Sequence, residues 1–165
     1  MRVIFVIIFG LFVGTLFLNT GEDDLGTRTR AGYAYTVSLL LLMTAVGASC
    51  EGNMNDRGTF YCHRQAQFYS TTAYYVSSMM CSWPLSFTES SLMAVITFFL
   101  VGMNSSGGVG FLYFWLITFL LSLTGTSVGR ILSYALPSKD MATSLSPAVN
   151  IIFSYTLSLH DALPI

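Results

Sequence analysis

Charge is the scarcest property of this chain. Only 9% of its 165 residues are Asp, Glu, Lys or Arg, against about a quarter in soluble domains. A soluble chain of this size needs far more polar surface to cover one core. The formal net charge is -1, which excludes the basic face that nucleic acid requires. Lys139 is the only lysine, and it follows Pro137-Ser138 and not a glycine. Gly107-Gly-Val-Gly110 likewise lacks the G-x-x-x-x-G-K-[ST] spacing that cradles phosphates, so this chain has no ATP site to offer. The three cysteines, Cys50, Cys62 and Cys81, are odd in number and have no ligand-like spacing. That argues against a disulfide framework and against a metal site. The two histidines supply no convergent polar constellation for catalysis. The chain is expected to be neither an enzyme nor the holder of a cofactor.

Apolar residues, by contrast, make up 53%. They gather into runs at Val3–Leu18, Tyr33–Ser49, Leu85–Met103 and Val109–Val128, with a fifth beginning near Met141. About 20 residues at 1.5 Å rise cross the hydrocarbon core, so the first run is slightly short and the next three fit. Met1–Leu18 is a poor signal peptide, because Leu-Asn-Thr-Gly-Glu offers no small-residue cleavage site. The expectation is an all-α, multi-pass bundle in contact with the lipid bilayer.

The final residues are read differently. Thr156-Leu-Ser-Leu-His-Asp-Ala-Leu-Pro-Ile165 is what ACT CTT TCC CTA CAC GAC GCT CTT CCG ATC encodes, the string of a sequencing-library adapter. Segment 155–165 is therefore expected to be an artefactual tail, and His160 and Asp161 are given no chemistry. Residues 1–154 are then a membrane domain cut within its fifth helix.

Polar stretches at Asn19–Thr29, Cys50–Arg57, Asn104-Ser-Ser-Gly-Gly108 and Pro137-Ser-Lys-Asp140 predict the breaks between spans. With a cytosolic N-terminus, Arg2, Arg57, Arg64, Arg130 and Lys139 lie inside, and Arg28 and Arg30 outside, which favours that orientation. Asn104-Ser105-Ser106 is then an outer N-x-S sequon, on a loop too short to favour glycosylation. Between Thr59 and Pro84, aromatic residues alternate with polar ones, which predicts a cytosolic amphipathic helix at the interface. Two G-x-x-x-G patterns, Gly10/Gly14 and Gly125/Gly129, predict close helix packing, inside the bundle or between subunits. Glu89 is the one acid within an expected span, near its start. It marks a pathway or a paired partner, or else is a protonated or snorkelled Glu near the interface, with Arg130 a candidate partner or a positive-inside anchor.

The order of these parts resembles the transmembrane domain of G-subfamily ATP-binding-cassette transporters, the pleiotropic drug resistance and white type. The carriers are Arg30-Ala31-Gly32, Phe60-Tyr61-x-x-Arg64, Tyr69-Ser70, Tyr74 and Trp83-Pro84. Val95-Ile-Thr-Phe-Phe-Leu-Val-Gly102, Ala135-Leu-Pro137 and Ile152-Phe-Ser154 are similar to the family's I-T-Y-F-x-x-G, A-x-x-P and F-S-G segments. The likeness covers residues 3–154. It implies about five of the six helices of a type-2 exporter domain, which forms the translocation pathway for hydrophobic or lipid-like small molecules. The implied coupling helix carries Phe60, Tyr61, His63, Arg64 and Tyr69. The implied substrate path on the second and fifth helices includes Leu40, Met43 and Ile151. ATP and Mg would sit on a separate nucleotide-binding domain, a second transmembrane domain would complete the pathway, and the plasma membrane is the expected location. The chain departs from the family at Cys62-His63-Arg64, where R-E-R is common, and at Ser82, usually an acid. The alternative is a small multi-span scaffold or anchor without transport.

Overall fold

The computed structural model describes residues 2–17, 24–101 and 107–162. Among them all regular structure is helical: α1 (Arg2–Leu16), α2 (Asp24–Gln65), α3 (Thr71–Val101), α4 (Gly107–Ala135) and α5 (Lys139–Ala162). Three helical segments are long and apolar enough to cross a membrane, Arg28–Gln65, Thr71–Val101 and Gly108–Ala135, while Val3–Leu16 is shorter. The break expected at residues 137–140 is found, with α4 ending at Ala135 and α5 starting at Lys139. The expected loop at Asn19–Thr29 is already helix from Asp24 onward, and its earlier part lies outside the described residues. Most of the expected turn at 104–108, and the sequon with it, also falls outside them.

Two expectations are corrected. The polar stretch Cys50–Arg57 does not break the helix but lies inside α2, which runs for 42 residues. It contains no proline, and its polar side chains find partners along the helix surface: the Asn53 side-chain amide donates to the Ser49 carbonyl at 2.9 Å. Polarity alone does not end a helix; it ends only the part suited to hydrocarbon. Secondly, Thr59–Pro84 is not one amphipathic helix. It comprises the last turns of α2, a short connection at 66–70, and the first half of α3, with Pro84 inside that helix.

The chain divides into two compact units, Met1–Leu41 with Ser82–Leu123, and Leu42–Cys81 with Thr124–Ile165. The first unit is built on Val6, Val13, Tyr33, Val37, Leu41, Met93 and Val101, with Phe9, Phe17 and Leu40 packed against them. Tyr33, Val37 and Leu41 recur every four residues, which sets one stripe of α2 inward. Here α1 lies close against α3. A Cβ on Gly10 would stand 3.0 Å from the Met93 Sδ, and one on Gly14 2.5 Å from the Leu100 Cδ2. In the second unit α4 meets α2 in the same manner. A Cβ on Gly125 would come 2.9 Å from that of Ala45, and one on Gly129 would collide with the Val46 carbonyl oxygen. The Ser49 hydroxyl completes that seam, donating to the Thr126 carbonyl at 2.8 Å. Each G-x-x-x-G pair thus faces a neighbouring helix of its own unit.

Candidate functional site

The tip of the second unit is an elbow whose geometry follows from how α2 stops and α3 starts. Gln67 adopts φ 55, the left-handed conformation that lets a helix close on itself. Its amide donates to the Arg64 carbonyl at 3.1 Å, and the Phe68 amide donates to the His63 carbonyl at 3.2 Å. This pair of bonds is a Schellman cap. The apolar contact that accompanies such caps is present as the Phe68 ring edge-on to His63, 5.8 Å between centroids. Three residues beyond Gln67, Ser70 begins α3 by accepting the Ala73 amide on its hydroxyl at 3.3 Å, an N-cap.

Aromatic rings then fix the angle between the two helix ends. Phe60 of α2 packs on Tyr74 of α3 at 4.5 Å, and Tyr69 stacks on Tyr74 at 5.8 Å and 9°. The Tyr69 hydroxyl lies 3.1 Å from the His63 Nδ1. Of the coupling residues read from the sequence, Phe60, His63 and Tyr69 therefore hold the elbow together. Tyr61 and Arg64 point outward, joined by Phe68, which is 74% exposed. The result is an apolar and basic knuckle on a tightly capped turn. From the sequence Phe68 is read only as one of the interfacial aromatics and not as a coupling residue, because its place at the tip rests on the non-glycine left-handed residue before it, which pattern does not reveal.

The linker between α4 and α5 is bound to the outer flank of α2. The Arg57 Nη1 donates to the Leu136 carbonyl at 2.7 Å, and the guanidinium carbon lies 5.6 Å over the Tyr61 ring. Lys139 pairs with Glu51 at 3.2 Å and donates to the Asn55 Oδ1 at 3.1 Å. Arg130, almost fully buried, donates from Nη2 to the Ser78 carbonyl at 2.7 Å. It is thereby built into the second unit. Glu89 is 1% exposed. It lies within α3, which begins at Thr71, and among the buried polar side chains of that helix with Ser86, Ser90 and Thr97. Among the described residues no group of three or more His, Cys, Asp or Glu is placed to hold a metal.

Residues 1–158 match the family described as ABC-2 type transporter. The chain belongs to that family. Curated relatives agree. It is 25% identical over 148 residues to ABC transporter G family member 2 of Dictyostelium discoideum, covering 90% of this chain and 11% of that protein. It is 26% identical over 143 residues to ABC multidrug transporter H of Aspergillus fumigatus, covering 85% and 10%. With ABC transporter G family member 8 of Arabidopsis thaliana it shares 26% over 140 residues, 84% and 23%. The segment is thus a G-subfamily ABC transmembrane domain sequence and an integral membrane one. It spans about a tenth of the length of the first two relatives.

The residues of the implied ABC substrate path fall in both units. Leu40 packs on the core of the first unit. Met43, in the second unit, lines a cavity of about 300 Å³ with Gly47, Glu51, Ser146, Pro147 and Asn150. Ile151 is 53% exposed and does not line it.

Proposed function

We propose that this chain is the membrane-spanning part of an ATP-driven exporter of hydrophobic or lipid-like small molecules, with the elbow as its docking point for a nucleotide-binding domain. The observation that carries the reading is the capped elbow. It presents Tyr61, Arg64 and Phe68 on a turn pinned by two helix caps and stacked rings. A rigid protrusion transmits a push from a partner domain, whereas a floppy loop absorbs it. ATP and its Mg belong to that partner domain, which performs hydrolysis, and a second transmembrane domain completes the pathway as a pseudo-dimer or homodimer. The N-terminus and the elbow are cytosolic and the plasma membrane is the site of action. The excess of basic residues on the elbow side supports that orientation.

The test uses the full-length protein in inside-out vesicles, following ATP-dependent uptake of a fluorescent amphipath. Phe68→Ala and Tyr61→Ala are expected to lower uptake at least tenfold while leaving protein abundance unchanged. Uptake that is the same with and without ATP, in the unaltered protein, would sink the reading in favour of a scaffold.

A further inference from the structure

His63 is a titratable side chain built into the frame of the elbow. Its ring is half-buried and set perpendicular to two neighbours, Phe68 at 5.8 Å and 89° and Tyr69 at 5.8 Å and 87°. The Tyr69 hydroxyl lies 3.1 Å from the His63 Nδ1, and Tyr69 is itself stacked on Tyr74. Two bond directions fit that distance. A phenol O–H is the stronger donor of the pair and a neutral imidazole nitrogen the stronger acceptor. In the uncharged ring Tyr69 therefore donates to Nδ1, and the imidazole proton sits on Nε2. An imidazolium carries a proton on both nitrogens and has no acceptor left. Charging the ring thus turns the bond around: Nδ1–H donates to the Tyr69 oxygen, and the phenol proton is freed to point at a partner.

The surroundings admit that charge. His63 and Arg64 lie in the last turn of α2, the negative end of the helix dipole, where cations are favoured. The titratable and charged groups that flank the ring are Arg64 next in sequence, Tyr69 from the connection and Tyr74 from α3. Behind Tyr74, within its electrostatic reach, are Asp56 of α2 and Arg130 and Tyr134 of α4. Imidazole is the side chain that changes charge between about pH 5 and 8. We infer that His63 is a proton-operated switch of the elbow: on charging it reverses its bond to Tyr69, adds a second cation beside Arg64 and tightens docking on an acidic surface of the nucleotide-binding domain. The acidic partner surface follows from complementarity, since Tyr61, Arg64 and Phe68 already present a basic and apolar face. The bond reversal needs only the geometry; its effect on docking rests on the exporter reading.

Two measurements on the full-length protein test the switch. The first reads the ring-nitrogen NMR shifts of His63 in lipid nanodiscs, assigned by their absence from either His63→Gln or His63→Arg. The Nε2–H tautomer with an accepting Nδ1 is expected at about pH 8 and a doubly protonated ring at about pH 6. Tyr69→Phe, which keeps the ring and removes the hydroxyl, is expected to erase the shift that marks Nδ1 as an acceptor. An Nδ1–H tautomer at about pH 8, or a ring still neutral at about pH 5, would overturn the inference. The second follows ATP-dependent uptake into inside-out vesicles, whose outer face is cytosolic, with an ionophore holding both sides at one pH. The ratio of uptake by the unaltered protein to that by His63→Gln is expected to rise about threefold from about pH 8 to about pH 6. The ratio of His63→Arg to His63→Gln, neither of which titrates there, is expected to stay flat. A ratio for the unaltered protein that stays flat or falls toward acid would overturn the docking effect. The tautomer change without ATP-dependent uptake would sink the exporter reading and leave the bond reversal standing. ATP-dependent uptake without the tautomer change would do the reverse.

Discussion

At the scale of single residues, two kinds of close approach carry opposite tolerances. A Cβ on Gly14 meets the flexible end of Leu100, whereas one on Gly129 meets the backbone carbonyl of Val46. A side-chain tip can rotate away; a helix carbonyl cannot move without its helix. Gly129→Ala is therefore expected to cost about 1–3 kcal/mol and Gly14→Ala under about 1 kcal/mol, a difference visible in thermal melts of the protein in nanodiscs. Gln67 offers a gain instead. A non-glycine side chain at φ 55 works against the left-handed conformation, so Gln67→Gly should stabilise the elbow by up to about 1 kcal/mol. Slower amide exchange at 66–70 is the readout. The glycine spacing was legible in the sequence because small residues four apart have one evident use in an apolar helix. Gln67 was not, because glutamine carries no signal for that conformation.

At the scale of elements, α2 is where sequence and structure part most. The runs Tyr33–Ser49 and Leu85–Met103 were correctly read as apolar, yet their helices extend well beyond them. Hydropathy marks the portion that suits hydrocarbon, while the helix continues for as long as its polar side chains stay satisfied. At Cys50–Arg57 they do, through Asn53, through Glu51 with Lys139, and through Arg57 with the Leu136 carbonyl. The last two bonds differ in worth. Arg57 is half-buried and donates a charged bond at 2.7 Å, so Arg57→Met is expected to cost about 1.5–3 kcal/mol and to raise proteolysis in the linker at 136–138. Lys139 and Glu51 are both well exposed, so Lys139→Met should cost under about 1 kcal/mol, and less in high salt. The elbow was foreseen as an amphipathic segment, but its division at 66–70 depends on one backbone dihedral and one serine cap.

For the whole molecule, composition alone was decisive. A chain this poor in charge and this rich in apolar residues has few places to fold outside a bilayer, and the three long helices follow. Orientation is the property still to be measured. With Cys50 and Cys81 replaced by alanine, the exposed Cys62 of the elbow should react with a membrane-impermeant maleimide only from the cytosolic side. Labelling from outside intact cells would invert the proposed topology and remove the elbow from any ATP-binding partner. The scarcity of lysine has a practical sequel. Lys139 is the sole lysine among these 165 residues, and its amine is engaged by Glu51 and Asn55. Within this segment an amine-directed acylating reagent thus has one side-chain target, and the rate of that single modification becomes a clock for how often the exposed Lys139–Glu51 pair opens.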